Sequence, residues 1–140
     1  TISRLRLDTL PVIDDTLTQT YPVGKNPMNI HDLAAWWNQG LVFVANSGDN
    51  TVSVLREDGT AVGTLDATNG PQLSEPYGVW GSLDGLRVIV SNRQGDYATY
   101  WNIRRRYEGW ALDSLQDVIV SSGQIKTGPG VTALSGYYIP

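Results

Sequence analysis

Cysteine is absent from the 140 residues. That excludes disulfides, thiolate zinc sites, iron–sulfur clusters and a cysteine nucleophile. Histidine occurs once, as His31 beside Asp32, so a transition-metal site would need carboxylates or a second chain's histidine. No apolar run approaches the roughly 18–20 residues of a membrane-spanning helix, and membrane insertion is not expected. Basic residues are in deficit, ten Lys and Arg against fourteen Asp and Glu, for a formal net charge of −4. An acidic chain lacks the electrostatic footprint of a nucleic-acid binder. Also missing are a Gly-x-Ser-x-Gly nucleophile elbow, an EF-hand spacing and a phosphate-binding glycine-rich loop. Nothing calls for a cofactor, and no catalytic constellation is evident.

What is plentiful is glycine and the large aromatics: 15 Gly, 7 Tyr and 5 Trp, with 7 Pro. That mixture suits short strands joined by tight turns better than a helical bundle. The turns are visible. Ser47-Gly48-Asp49-Asn50, Asp58-Gly59 and Asp84-Gly85 supply residues that tolerate positive φ, as tight hairpins require. Between them run residues 41–46 and 51–55, then 86–92 and 97–103, with apolar side chains at every second position. This alternation is the signature of half-buried strands.

The pattern repeats. Val44-Ala45-Asn46 and Val90-Ser91-Asn92 end two such runs, each followed by a Gly-Asp turn and a second alternating strand, and the two Asn lie 46 positions apart. Upstream of each is a Pro-x-x-apolar entry, Pro27-Met28-Asn29-Ile30 and Pro76-Tyr77-Gly78-Val79, and a looser copy begins at Gly128-Pro129-Gly130-Val131. Four strands per unit are expected, in the order entry strand, Val-x-Asn strand, Val-Ser-Val-type strand and closing strand. An ordinary β-sandwich has no need to repeat that order.

Phe43-Val44-Ala45-Asn46-Ser47 with Thr51-Val52-Ser53-Val54, preceded by Pro22-Val23-Gly24 and Asn26-Pro27, resembles the YVTN type of β-propeller repeat. Glu75-Pro76-Tyr77-Gly78-Val79 with Ser82-Leu83-Asp84-Gly85 is similar to YVTN, NHL and lactonase-type repeats alike. The likeness covers residues 17–92 well and 93–140 loosely. It implies an all-β fold of about three four-stranded antiparallel blades. They form a single domain over residues 1–140, with blade boundaries near 24–27, 70–76 and 123–129. Residues 2–7 align with a third strand and 17–23 with a fourth, while Val131–Ile139 reads as a first strand. The front and back are thus complementary half-blades. A three-blade arc cannot close alone, so the expected partner is a second copy, a homodimer closing a six-bladed ring, or else a larger protein complex. The resemblance also suggests an extracytoplasmic location.

The repeat does not predict the stretch from Arg104 to Gln116. Trp101, Arg104, Arg105, Arg106, Tyr107 and Trp110 crowd it, and arginine and aromatic residues dominate interface hot spots; these six are the candidate partner-binding residues. The stretch also reads as a loop folded back over its own sheet, with Trp110 and Leu112 buried. Lactonase-type propellers hold a divalent cation with Glu, Asn and Asp, so the resemblance makes Asp32, Asn46, Glu75 and Asn92 candidate ligands. As turn residues capping strand ends, the two Asn have a simpler explanation. The expected function is a non-enzymatic interaction or scaffold module. The alternatives are a metal-dependent lactonase-type hydrolase with a site shared between chains, and a carbohydrate-binding propeller.

Overall fold

In the computed structural model, residues 2–4, 19–21, 23–24, 30–36, 40–56, 58–82, 84–104, 115 and 119–134 are described. Every regular element among them is a strand, apart from one 3₁₀ turn at Ser47–Asp49. The strands are β1 (Ile2–Arg4), β2 (Gln19–Tyr21), β3 (Ile30–Trp36), β4 (Leu41–Asn46), β5 (Thr51–Arg56), β6 (Ala61–Leu65), β7 (Pro76–Gly81), β8 (Arg87–Asn92), β9 (Tyr97–Ile103) and β10 (Ile119–Lys126).

They form two four-stranded sheets, β3-β4-β5-β6 and β7-β8-β9-β10, and one two-stranded hairpin, β1-β2. All pairings are antiparallel between sequence neighbours. Each sheet is therefore a simple meander in which successive strands pair antiparallel.

The expected turn chemistry accounts for most of the hairpins. Asn50 caps the β4–β5 turn at φ 55°, and Gly59 and Gly85 take φ 86° and 69° in the next two tight turns. Asp58 and Asp84 hold their own turns, accepting from the backbone N–H of Thr60 at 2.8 Å and of Leu86 at 3.0 Å. These are the short side chains that mimic a backbone turn.

The 46-residue repeat is equally visible as geometry. Asn46 Nδ2 donates to Ser53 Oγ at 2.9 Å, and Asn92 Nδ2 donates to Thr99 Oγ1 at 3.0 Å. Thr99 stands 46 positions beyond Ser53, as Asn92 stands beyond Asn46. Each Asn ends a second strand and braces the third strand across the turn.

The main core lies between the two sheets. Leu41, Phe43 and Ala45 of β4, Val52 and Val54 of β5 and Leu65 of β6 meet Val79, Val88, Val90, Trp101 and Ile103 of the second sheet, with Leu73 and Leu115. Burying such side chains contributes about 1.5–3 kcal/mol each. A smaller cluster of Val23, Val44 and Leu55 covers the other face of the first sheet. Both faces of β4 and β5 are thus buried.

One expectation is corrected. Trp101 lies in the middle of β9, fully buried at 0 % exposure, with its indole N–H donating to Asn69 O at 3.2 Å. It fills the inter-sheet core and is not on a binding surface of this chain. The large ring is accommodated because Gly70 has no side chain: a Cβ there would stand 2.7 Å from Trp101 Cε2. Of the expected strand Val131–Ile139, residues 131–134 carry no strand and the rest lie outside the described residues. Among the described residues, 131–134 join no ladder.

Candidate interaction surface

The register assigns each side chain of the second sheet to a face. Val79, Val90 and Thr99 are cross-strand neighbours, as are Val88 and Trp101, and this face packs on the first sheet. The opposite face follows from the same register. Trp80 pairs with Ile89, Ile89 with Tyr100, and Tyr100 with Gly123; Ser91 pairs with Ala98, and Ala98 with Ile125. Along one side of this strip runs Arg87, Asn102 and Ser121.

These groups form one ordered surface. The Tyr100 hydroxyl reaches over Gly123, where a Cβ would stand 2.6 Å from it. Glycine lets the ring reach flat across β10. The Arg87 guanidinium sits 5.3 Å from the Tyr100 ring centroid, within cation–π range. Its Nε donates to Asn102 Oδ1 at 2.7 Å, and Asn102 Nδ2 donates to Ser121 Oγ at 2.8 Å. The result is an apolar strip with a hydrogen-bonded polar rim.

The corresponding positions on the first sheet show what such a strip does. Subtracting 46 from Ile89, Ser91, Ala98 and Tyr100 gives Phe43, Ala45, Val52 and Val54, the residues that carry the second sheet. On the second sheet no described sheet covers the equivalent face. Ile125 is 43 % exposed there, and Val120, at the irregularity of β10, is 61 % exposed. They are the exposed large apolar side chains among the described residues.

One segment does reach this face. Residues 127–130 cross the β8–β9 turn, with Thr127 N donating to Asp96 O at 2.6 Å and Gly130 N to Gly95 O at 3.4 Å. The Thr132 carbonyl then lies against Gly78, where a Cβ would come within 2.6 Å of it. The chain enters β7 in the same manner. There the β4–β5 turn holds the entry, through Glu75 N donating to Asn50 Oδ1 at 2.7 Å and a hydrogen bond from Ser47 Oγ to Pro76 O. Thus the β4–β5 and β8–β9 turns each grip the start of the following segment.

Of the candidate cation ligands, Asn92 is engaged through both amide atoms, whereas Asn46 Oδ1 and Glu75 Oε2 are buried without a hydrogen-bond partner. Asn92 Oδ1 accepts from Ser74 N at 2.8 Å, and its Nδ2 donates to Tyr97 O at 3.2 Å as well as to Thr99. Asn46 Nδ2 serves Thr51 and Ser53, and its Oδ1 is buried without a partner. Glu75, at φ 52°, forms an ion pair with Arg93, whose guanidinium also sits 5.6 Å from the Tyr77 ring centroid. Asp32 lies in β3. Asn46 and Asn92 end strands of different sheets and are not brought together in one cluster. Among the described residues no three His, Asp or Glu side chains gather.

Of the Arg/aromatic stretch, Trp101 is buried and Arg104 is exposed just past β9. Arg105, Arg106, Tyr107 and Trp110 lie outside the described residues. The far end of the same connection returns to the core through Leu115, which is 3 % exposed and abuts Gly63 of β6. Sequence reasoning passed over the strip formed by Trp80, Ile89, Tyr100 and Ile125. The signal available for it was the 46-residue offset from the buried face of β4 and β5.

No family model matches the chain, and no curated protein matches it. Two solved chains do. One is described as a functionally unknown protein from Desulfotomaculum acetoxidans DSM 771. It is 19 % identical with a TM-score of 0.60, over 91 % of this chain and 35 % of that one. The chain therefore spans about a third of that protein, and the likeness concerns the fold alone.

Proposed function

We propose that the two sheets are successive blades of a β-propeller of the YVTN/NHL kind, and that the chain works as a non-catalytic interaction or scaffold module. The observation that supports this most is the uncovered Trp80–Ile89–Tyr100–Ile125 strip. Its counterpart 46 positions earlier carries a whole sheet, so the same surface is shaped to carry another. Contiguous apolar surface rimmed by polar groups is characteristic of association sites. Asn46 and Asn92 brace the strand that follows each of them, an occupation that supports a structural reading of these two residues.

Trp80 offers a direct test. Association through this strip moves its indole out of water. Raising the protein concentration is expected to shift the tryptophan emission to the blue and to reduce iodide quenching. In Trp80→Phe both changes shrink. Emission and quenching that stay constant over the whole concentration range would remove the support for an interaction role of this face.

A further inference from the structure

The edge of the second sheet is a feature separate from its open face. β10 ends the ladder β7-β8-β9-β10, and among the described residues no strand pairs with its outer side. The hydrogen-bond pattern fixes which groups lie there. Ile103 N donates to Leu86 O at 2.7 Å. The odd-numbered residues of β9 therefore turn their backbone groups to β8, and the even-numbered ones turn theirs to β10. Thr127 N donating to Asp96 O at 2.6 Å continues the same alternation. Asn102 stands opposite Ser121, Tyr100 opposite Gly123 and Ala98 opposite Ile125, so the odd-numbered residues of β10 bond to β9. Ser122, Gln124 and Lys126 direct their N–H and C=O groups outward.

Native sheets protect their edges with short strands, prolines, bulges or charge. β10 has eight residues, the longest strand described, and contains no proline. Its irregularity lies near Val120, which leaves Ser121–Lys126 regular. β6, the corresponding edge of the first sheet, has five residues, and Leu115 stands against Gly63 at its centre. Val120 and Ile125, the exposed large apolar residues among those described, both belong to β10.

A row of outward backbone groups is matched by another extended backbone. The side chains add a pattern to it. Gly123 and Ile125 lie on the face of the apolar strip, and Lys126 lies on the other. The four strands of this sheet hold Arg87 and Lys126 and no acidic residue, although the chain carries a net charge of −4. We propose that β10 is the docking edge for an extended acidic peptide segment, which lengthens the sheet by pairing with Ser122, Gln124 and Lys126. Its apolar residues stand beside Gly123 and Ile125, and its carboxylates stand beside Lys126. The proposal rests on the interaction reading and adds to it the edge used and the chemistry of the partner.

The test uses a fluorescein-labelled nonapeptide that alternates valine with threonine and glutamate, titrated with dilute protein and followed by fluorescence anisotropy. Saturable binding is expected. It weakens by about tenfold or more when the peptide is N-methylated along its length, because the ladder hydrogen bonds are lost. Exchanging the glutamates for lysine weakens it as well, beside Lys126. Gln124→Pro removes one outward N–H at a place where a sheet edge tolerates proline. It is expected to weaken binding by about tenfold with the circular dichroism of the wild type retained. Should that variant fail to fold, the methylated peptide on the wild-type chain decides. Equal binding of the methylated peptide overturns the proposal in favour of capture by side chains alone, and a preference for the lysine peptide overturns its acidic partner. No saturable binding at about 1 mM overturns the docking edge. In that event a concentration-dependent Trp80 emission leaves the interaction reading standing, and a constant emission removes both.

Discussion

Asn46 and Asn92 carry the fold at the smallest scale. Each sits at the end of a second strand, buried to 1 % and 0 % exposure, and each uses its amide to hold the strand that follows. Asn92 also accepts from Ser74 N, joining the entry segment of the same unit. Removing a buried partner leaves the other groups without hydrogen bonds, at about 1–3 kcal/mol. Asn92→Ala is accordingly expected to lower the denaturation midpoint more than Asn46→Ala, because Asn46 Oδ1 has no partner to lose. Equal losses in urea titrations would contradict this ranking. Gly70 is a second pressure point. Gly70→Ala drives a methyl group into the Trp101 indole and is expected to cost about 1–3 kcal/mol by overpacking. Trp101→Leu made together with it should recover part of that loss. The role of the two Asn was legible from the Val-x-Asn repeat, because turn chemistry is local. The burial of Trp101 was not, because its Arg-rich neighbourhood in sequence says nothing of which strand face it occupies.

Among the elements, β4, β5, β7 and β8 were the most legible. Asp-Gly or Asn residues mark their turns, and the near-continuous apolar run of β4 matches the burial of both its faces. The closing strand β10 was harder, since Ile119–Lys126 contains Ser121-Ser122-Gly123 and Gln124 and its pairing with β9 is irregular near Val120. The long connection between β9 and β10 was read as a departure from the repeat, with Trp110 and Leu112 as the side chains that would bury if it folded back. Those two lie outside the described residues, and the anchor seen is Leu115. A single apolar residue in a polar stretch gives no periodic signal, so only tertiary contact selects it. Leu115→Ala is expected to cost about 2–4 kcal/mol, measured by equilibrium unfolding, although it lies in no strand. A loss under about 0.5 kcal/mol, the range of ordinary surface substitutions, would show that the connection is not pinned there.

At the scale of the whole molecule, the all-β, antiparallel character followed from composition and turn chemistry, and the uncovered face did not. A face is defined by cross-strand register, which one sequence fixes only through long-range pairing. Once register is known, the 46-residue offset shows that Ile89 and Tyr100 hold the positions of Phe43 and Val54. It also shows where the two sheets differ. Arg87 stands at the position of Leu41 and Asn102 at that of Arg56, so the rim of the open face is more polar than the buried one it repeats. Such a rim suits an interface formed after folding better than a permanent core. The account therefore stands on association through this face. Its most direct test is the solution mass by light scattering coupled to size exclusion, followed from dilute to concentrated protein. A mass reaching twice 15.3 kDa, and falling back in Ile125→Asp, is the predicted result. A constant mass of 15.3 kDa across the series, with the native circular dichroism intact, would contradict it.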